Sequence, residues 1–226
     1  MKITPIILAG GQGLRLRKLI GEHQKTMTVI DKKPFLCKVL DQIICLGFNE
    51  VIICSGYKSK EIKSFFNNNY KGLEIRYSQE FKPLGTGGAI RNAINNYKIS
   101  NMLIFNGDSC CQINHKEFLL FLTKNIPFVT LVKSIEKGRF GSVYINENNQ
   151  ILKFVEKAEK TNTKWINAGI YFFSTKFIKS YLDSEIMSLE FDVIPNLIKE
   201  GLYAWPYGEN LLDIGTEKSL KDIKLV

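Results

Sequence analysis

An apolar run, Ile3 to Leu8, stops at three glycines in four positions, Gly10, Gly11 and Gly13, and Arg15 follows two residues later. A run of this length reads as a buried strand. Glycines at its C-terminal end let backbone N–H groups approach an anion closely, and Arg15 adds a planar cationic fork at the same place. This opening constrains the chain to deliver a strand end to a ligand, and a phosphate chain is the ligand chemistry that suits it. Spacing excludes two common phosphate loops. A Walker A loop needs Gly, four residues, then Gly-Lys-Ser/Thr, but Arg15, Leu16 and Lys18 stand beyond these glycines. A dinucleotide fingerprint needs a third glycine where Leu16 stands.

The strand-then-glycine pattern recurs. Pro34 to Leu46 reads as a helix, with Leu36, Val39, Leu40, Ile43 and Ile44 at helical spacing and Gly47 as its cap. Glu50 to Cys54 is a second strand, ending at Ser55-Gly56. Lys60 to Asn67 is a helix, Glu74 to Tyr77 a short strand and Gly88 to Asn95 a helix. Met102 to Phe105 is a buried strand ending at Asn106-Gly107-Asp108. Three βα units in the first half predict an α/β, doubly wound, mostly parallel sheet with ligands at the strand C-termini. In the second half Phe128 to Val132, Gly141 to Ile145, Ile151 to Val155 and Ala168 to Phe173 read as strands. Thr175 to Leu182 and a segment around Val193 to Glu200 read as helices. No repeat or linker divides the chain. Its 226 residues suit one domain, 1–226, with a nucleotide-binding first half and an acceptor-binding second half.

Thirty-one basic residues against 22 acidic ones leave a net charge of +9, which favours anionic partners. The lysines are scattered and no aromatic-interleaved basic run exists, so phosphorylated metabolites fit better than nucleic acid. Cys37, Cys45 and Cys54 lie in apolar segments and read as small buried residues, while adjacent Cys110-Cys111 suit neither zinc nor an easy disulfide. With no secretory or membrane-spanning run, the expectation is a reduced cytoplasm, no membrane, and a monomer or homodimer.

Three further constellations carry chemistry. Glu80-x-x-Pro83-Leu84-Gly85-Thr86-Gly87-Gly88 opens a helix with glycines, placing a helix N-terminus where an anion or base can face it. Glu80 can accept from adjacent N–H groups such as those of guanine. Asn106-Gly107-Asp108-Ser109 and Asp213-Ile214-Gly215-Thr216 each put a carboxylate at a strand end, and two such carboxylates can share a Mg²⁺ ion. His23 and His115 are the only histidines. So little acid–base equipment suits phosphoryl chemistry, where the protein positions reactants and offsets charge.

Together these motifs resemble the sugar-phosphate nucleotidyltransferase family. Leu8-Ala9-Gly10-Gly11-x-Gly13-x-Arg15-Leu16, Lys25, Pro34-Phe35-Leu36, Gly56-Tyr57, the Glu80 loop and Asn106-Gly107-Asp108 stand in its order. Phe154-Val155-Glu156-Lys157, Asn167-Ala168-Gly169-Ile170-Tyr171 and Asp213-Ile214-Gly215-Thr216 follow. The resemblance implies a Rossmann-like, GT-A-like three-layer fold and a reaction in which a sugar 1-phosphate attacks the α-phosphorus of a nucleoside triphosphate and pyrophosphate leaves. It implies catalytic roles for Arg15, Lys25 and Asp108, and Mg²⁺ on Asp108 and Asp213. Leu8, Ala9, Gly10, Gly11, Gly13, Arg15, Glu80, Gly85, Thr86, Asn106 and Gly107 fall to the nucleotide, and Gly141, Glu156, Lys157, Asn167 and Gly169 to the sugar. The Glu80 loop looks most like guanylyltransferases for mannose- or heptose-type sugars, so GTP and a heptose 1-phosphate are the expected partners. A related uridylyltransferase branch also carries Glu there, so UTP, CTP or dTTP stay open, as does a non-catalytic binding protein. Leu14, Arg17, Gln24 and Thr26 depart from the family's usual Thr and prolines around the loop and Lys25.

Overall fold

A computed structural model describes residues 1–134, 140–156 and 162–224. In chain order its strands are β1 (Thr4–Ala9), β2 (Val29–Ile30), β3 (Lys33–Pro34), β4 (Glu50–Ser55), β5 (Asn69–Tyr70), β6 (Leu73–Gln79), β7 (Asn101–Asn106), β8 (Ser109–Gln112), β9 (Phe128–Lys133), β10 (Ser142–Ile145), β11 (Ile151–Val155), β12 (Trp165–Ser174) and β13 (Tyr203–Asp213). Its helices are α1 (Arg17–Ile20), α2 (Leu36–Cys45), α3 (Ser59–Phe66), α4 (Gly85–Asn96), α5 (His115–Leu122), α6 (Thr175–Ile178), α7 (Ile194–Lys199) and α8 (Glu217–Lys224).

Side chains alternate across a strand, so a continuous apolar run loads both faces of a sheet and must be covered twice. Ile7, Ile53, Leu103, Phe105 and Phe172 pack on one face against residues of α2, α3, α5 and α8. Their neighbours Ile6, Ile52, Ile104, Tyr171 and Phe173 pack on the other against α4, α6 and α7. The result is the expected three-layer α/β arrangement.

Among the described residues the main sheet runs β5-β6-β4-β1-β7-β12-β9-β13-β8, with the β10–β11 hairpin appended to β12. Strands β6, β4, β1, β7, β9 and β13 share one direction, and β5, β12 and β8 oppose them. From β1 the chain moves outward to β4 and β6, then returns through α4 to β7 on the other side of β1. That reversal opens a crevice at the C-terminal ends of β1 and β7, where open α/β sheets bind ligands. Because β12 and β8 run the other way, their starting residues reach the same end.

The structure corrects several expectations. Strand β13 contains Pro206 and Gly208, which argue against a strand read from sequence; the ladder to β9 shifts register between Trp205 and Gly208 and so absorbs both. Strand β8 spans the Cys110-Cys111 pair, which the sequence leaves unassigned. Helix α5 also went unassigned, although Asn114 caps it by accepting from Glu117 N–H at 3.3 Å. Cys45, expected buried, is exposed, because it ends α2 off the face formed by Leu36, Val39, Leu40 and Ile43. The helix expected around Val193 to Glu200 is α7, and a π-turn, Leu189–Val193, that the sequence does not signal leads into it. No helix among the described residues is long and apolar enough to cross a membrane.

Candidate active site

Two contiguous cavities occupy the crevice. One of about 300 Å³ is walled by Leu8, Ala9, Gly10, Gly11, Gln24 and Glu80, among others. The other, of about 810 Å³, reaches Gly13, Gly141, Glu156, Asn167, Gly169 and Asp213. Lys25, Gly85, Thr86, Asn106 and Asp108 line both. The structure therefore brings together nearly every residue singled out from sequence, although Gly13, expected beside the nucleotide, lines the larger cavity and not the smaller one. Gly107 stands behind the wall, its N–H donated to Leu8 C=O at 3.0 Å. Lys157 and the side chain of Arg15 lie outside what the structure describes.

In the smaller cavity Gly10 runs directly against the Glu80 carboxylate, which leaves no room for a Cβ. Glu80 is 9% exposed, and its Oε2 accepts from Leu84 N–H at 3.3 Å. Burial pushes its carboxyl pKa up, and the Leu84 bond offsets part of that rise. Such a group is poised to accept from a ligand's N–H groups. At the start of α4, Gly85 has φ +75 and packs on the Met187 carbonyl, a position closed to any side chain. That carbonyl accepts from Gly87 N–H and Gly88 N–H, at 3.0 and 3.3 Å. Met187 thus takes two of the first-turn donors of α4, while Gly85 and Thr86 of the N-terminus expected to face an anion or a base line both cavities.

Gln24 accounts for the altered flank of Lys25. Its φ of −67 is the value a proline ring imposes. The buried side chain donates to Ala9 C=O at 2.6 Å and accepts from Thr26 N–H and Thr26 Oγ1, while its N–H donates to Glu61 Oε2 at 2.9 Å. A glutamine network holds the path that proline holds elsewhere in the family pattern, and Lys25 rides on it.

Lys25 Nζ pairs with Asp108 Oδ2 on the wall shared by both cavities. Asp213 stands beside them: Ser109 is its register partner, and Ile214 N–H donates to Asp108 C=O at 3.0 Å. The adjacent Asn106 Oδ1 is buried with no hydrogen-bond partner among the described residues. No cluster of three or more His, Cys, Asp or Glu side chains forms among those residues. Two strand-end carboxylates facing one cleft are an all-oxygen donor set of the size Mg²⁺ takes, leaving its other positions to phosphate and water. The residues fit that ion.

In the larger cavity, Asn167 N–H donates to Gly141 C=O at 2.8 Å, and Gly141 abuts Glu156. Sequence reasoning missed Glu190 and Ser188, which line the larger cavity, and gave no role to Tyr171 behind it. A signal was available: Tyr171 sits within an apolar strand run, and a buried phenol requires a polar partner.

The nucleotidyl transferase family model matches residues 4–225. The chain is 33% identical over 213 residues to the D-glycero-alpha-D-manno-heptose 1-phosphate guanylyltransferase of Aneurinibacillus thermoaerophilus, covering 93% of this chain and 92% of that one. It is 32% identical over 221 residues to the mannose-1-phosphate guanylyltransferase of Mycobacterium tuberculosis, covering 95% of this chain but 62% of that one. The solved structure of HddC from Yersinia pseudotuberculosis complexed with GMP-PN matches at TM-score 0.84 and 29% identity, covering 100% of this chain and 99% of that chain.

Proposed function

The chain belongs to the nucleotidyl transferase family, and on that premise we propose that it is a sugar-1-phosphate guanylyltransferase joining GTP to a heptose 1-phosphate. The observation that carries this reading is the Lys25–Asp108 pair on the one wall that two substrate-sized cavities share. Two reactants entering from either side meet there.

The smaller cavity takes the nucleoside, against Leu8, Ala9, Gly10 and Gly11, with Gly85 and Thr86 opposite. The Glu80 carboxylate accepts from guanine N1–H and N2–H; uracil and thymine offer one N–H flanked by carbonyls, which a carboxylate repels. The triphosphate crosses the loop of Gly11 and Gly13, where Lys25 offsets its charge, a role the family resemblance implies for Arg15 as well. Arriving phosphates compete with Asp108 for Lys25, so substrate binding itself opens the ion pair. Asp108 and Asp213 would hold Mg²⁺, which when bound supplies positive charge to the phosphate oxygens. The larger cavity takes the sugar, against Gly141, Glu156, Asn167 and Gly169. An oxygen of its 1-phosphate attacks the α-phosphorus in line, the bond from that phosphorus to the α–β bridging oxygen breaks, and pyrophosphate departs. The protein supplies position and charge rather than a general base.

Pyrophosphate release from each of GTP, UTP, CTP and dTTP, paired with heptose, mannose and glucose 1-phosphates, tests this. GTP with the heptose phosphate is expected to turn over fastest. A faster non-GTP pair overturns the base assignment, mannose 1-phosphate as the best acceptor overturns the sugar, and no release from any pair overturns the enzyme.

A further inference from the structure

We propose that Glu190 is a positioning residue whose carboxylate sets the hydrogen-bond directions of the sugar-side wall and ties that wall to the nucleotide-side helix. The inference rests on the guanylyltransferase reading. Glu190 lies in the π-turn Leu189–Val193 and lines the larger cavity. An ionised carboxylate only accepts, so every hydroxyl facing it must donate. Oε1 faces Tyr171 OH at 3.1 Å, and Oε2 faces Thr86 Oγ1 at 2.8 Å and Ser188 Oγ at 3.1 Å.

Each of these hydroxyls is also an acceptor from an N–H that cannot do otherwise. Thr86 Oγ1 accepts from Leu189 N–H at 2.7 Å, and Ser188 Oγ from Glu190 N–H and Phe191 N–H at 3.2 Å. Tyr171 OH accepts from Asn167 Nδ2 at 2.7 Å, and Asn167 Oδ1 accepts from Gly169 N–H at 3.0 Å. The chain of donors and acceptors therefore has one direction from Gly169 to Glu190. Tyr171 is fully buried, and burial first, then the Glu190 charge, holds its phenol protonated as the donor this requires.

The consequence falls on Asn167. With its amide turned this way, it keeps one N–H and one oxygen lone pair for the cleft. A donor and an acceptor side by side on one planar group suit two neighbouring hydroxyls of a sugar ring. The other carboxylate oxygen meanwhile orders Thr86, which lines both cavities. One carboxylate thus aligns groups that touch both substrates.

Glu190→Gln keeps the shape but replaces one acceptor oxygen by an amide that donates, so a hydroxyl that donated to Glu190 loses its acceptor and its arm of the chain loses its anchor. Tyr171→Phe cuts only the sugar arm. Both variants are expected to raise the KM for the sugar 1-phosphate about tenfold, the worth of one hydrogen bond, with kcat changed by less than about threefold. Equilibrium GTP binding by Tyr171→Phe should stay within about twofold, since its arm does not reach Thr86. The double variant should be no worse for the sugar KM than the worse single, because both act along one chain. An unchanged sugar KM in Glu190→Gln, or additive effects in the double variant, overturns the inference. If Glu190→Gln does not fold, Tyr171→Phe decides on the same criteria. Absence of turnover by the unmodified chain refutes the guanylyltransferase reading instead; calorimetric binding of the heptose 1-phosphate to the same variants then tests the inference, and equal binding by all of them, or by none, overturns it.

Discussion

Replacing Gly10 by alanine tests the nucleoside pocket at its tightest point. The new methyl would lie 3.0 Å from Glu80 Cδ and 3.3 Å from Oε2, and closer still to Oε1. Carbon atoms normally keep about 3.5–4.0 Å apart, so either β1 or the carboxylate must move. Glu80 is held by its own N–H to Ser55 C=O at 2.7 Å and by Leu84 N–H on Oε2. Overpacking of this kind costs about 2 kcal/mol, which for a chain of this length lowers Tm by about 4–8 °C. With Glu80 proposed to hold the base, displacing its carboxylate should also lower GTP affinity by about tenfold or more. Thermal unfolding and GTP titration read the two effects separately. In Gly10→Ala/Glu80→Asp the side chain is shorter by one carbon–carbon bond, about 1.5 Å. That clears the methyl but withdraws the carboxylate, so Tm should recover while GTP binding stays weak. A Gly10→Ala protein with unchanged Tm and unchanged GTP affinity, or a double variant no more stable than the single, would refute the reasoning.

Three other outcomes follow from the same geometry. Burial raises the Glu80 pKa, so ionising it lowers stability: the folded state is relatively most stable below the unfolded carboxyl pKa and loses that advantage as pH rises through the raised folded value. Glu80→Gln should therefore raise Tm at neutral pH, with the gain vanishing near about pH 4, and a gain of equal size at both pH values would contradict the cause given. Asp108→Asn keeps an oxygen for Lys25 but removes a carboxylate from the reacting phosphates; turnover should fall about 10²–10³-fold with thermal unfolding little changed, and near-normal activity would remove Asp108 from the site. Gln24→Ala leaves Ala9 C=O and Thr26 N–H buried without their partner, a loss of about 2–4 kcal/mol visible in urea unfolding together with lower kcat; stability within experimental error of the parent would show that the glutamine does not hold the turn.

The layers and the location of the cleft were legible because they rest on local signals. Apolar runs such as Ile3 to Leu8 and Met102 to Phe105 declare buried strands, and the glycines after them mark where the chain meets a ligand. What was hidden depends on contacts across the chain. Lys25 and Asp108 stand 83 residues apart, and nothing local pairs them. Met187 caps α4 from a segment with no helix-cap signal of its own. Of β13 only its end at Asp213 was legible, because Pro206 and Gly208 concealed the rest and only a register shift against β9 makes them tolerable there. Glu190 reads as an ordinary acidic residue until Tyr171, Thr86 and Ser188 converge on it. Gln24 is instructive in the other direction: it departs from the family's residue type, yet keeps proline's φ and replaces ring rigidity with hydrogen bonds.

Every role proposed for these residues depends on attack at the α-phosphorus. GTP labelled at either the α- or the γ-phosphate, incubated with Mg²⁺ and the heptose 1-phosphate, tests it most directly. The α-label is expected in a GDP-sugar and the γ-label in pyrophosphate, in equal amounts. A γ-label found in a sugar bisphosphate or in orthophosphate, with the α-label left in GDP, would contradict it.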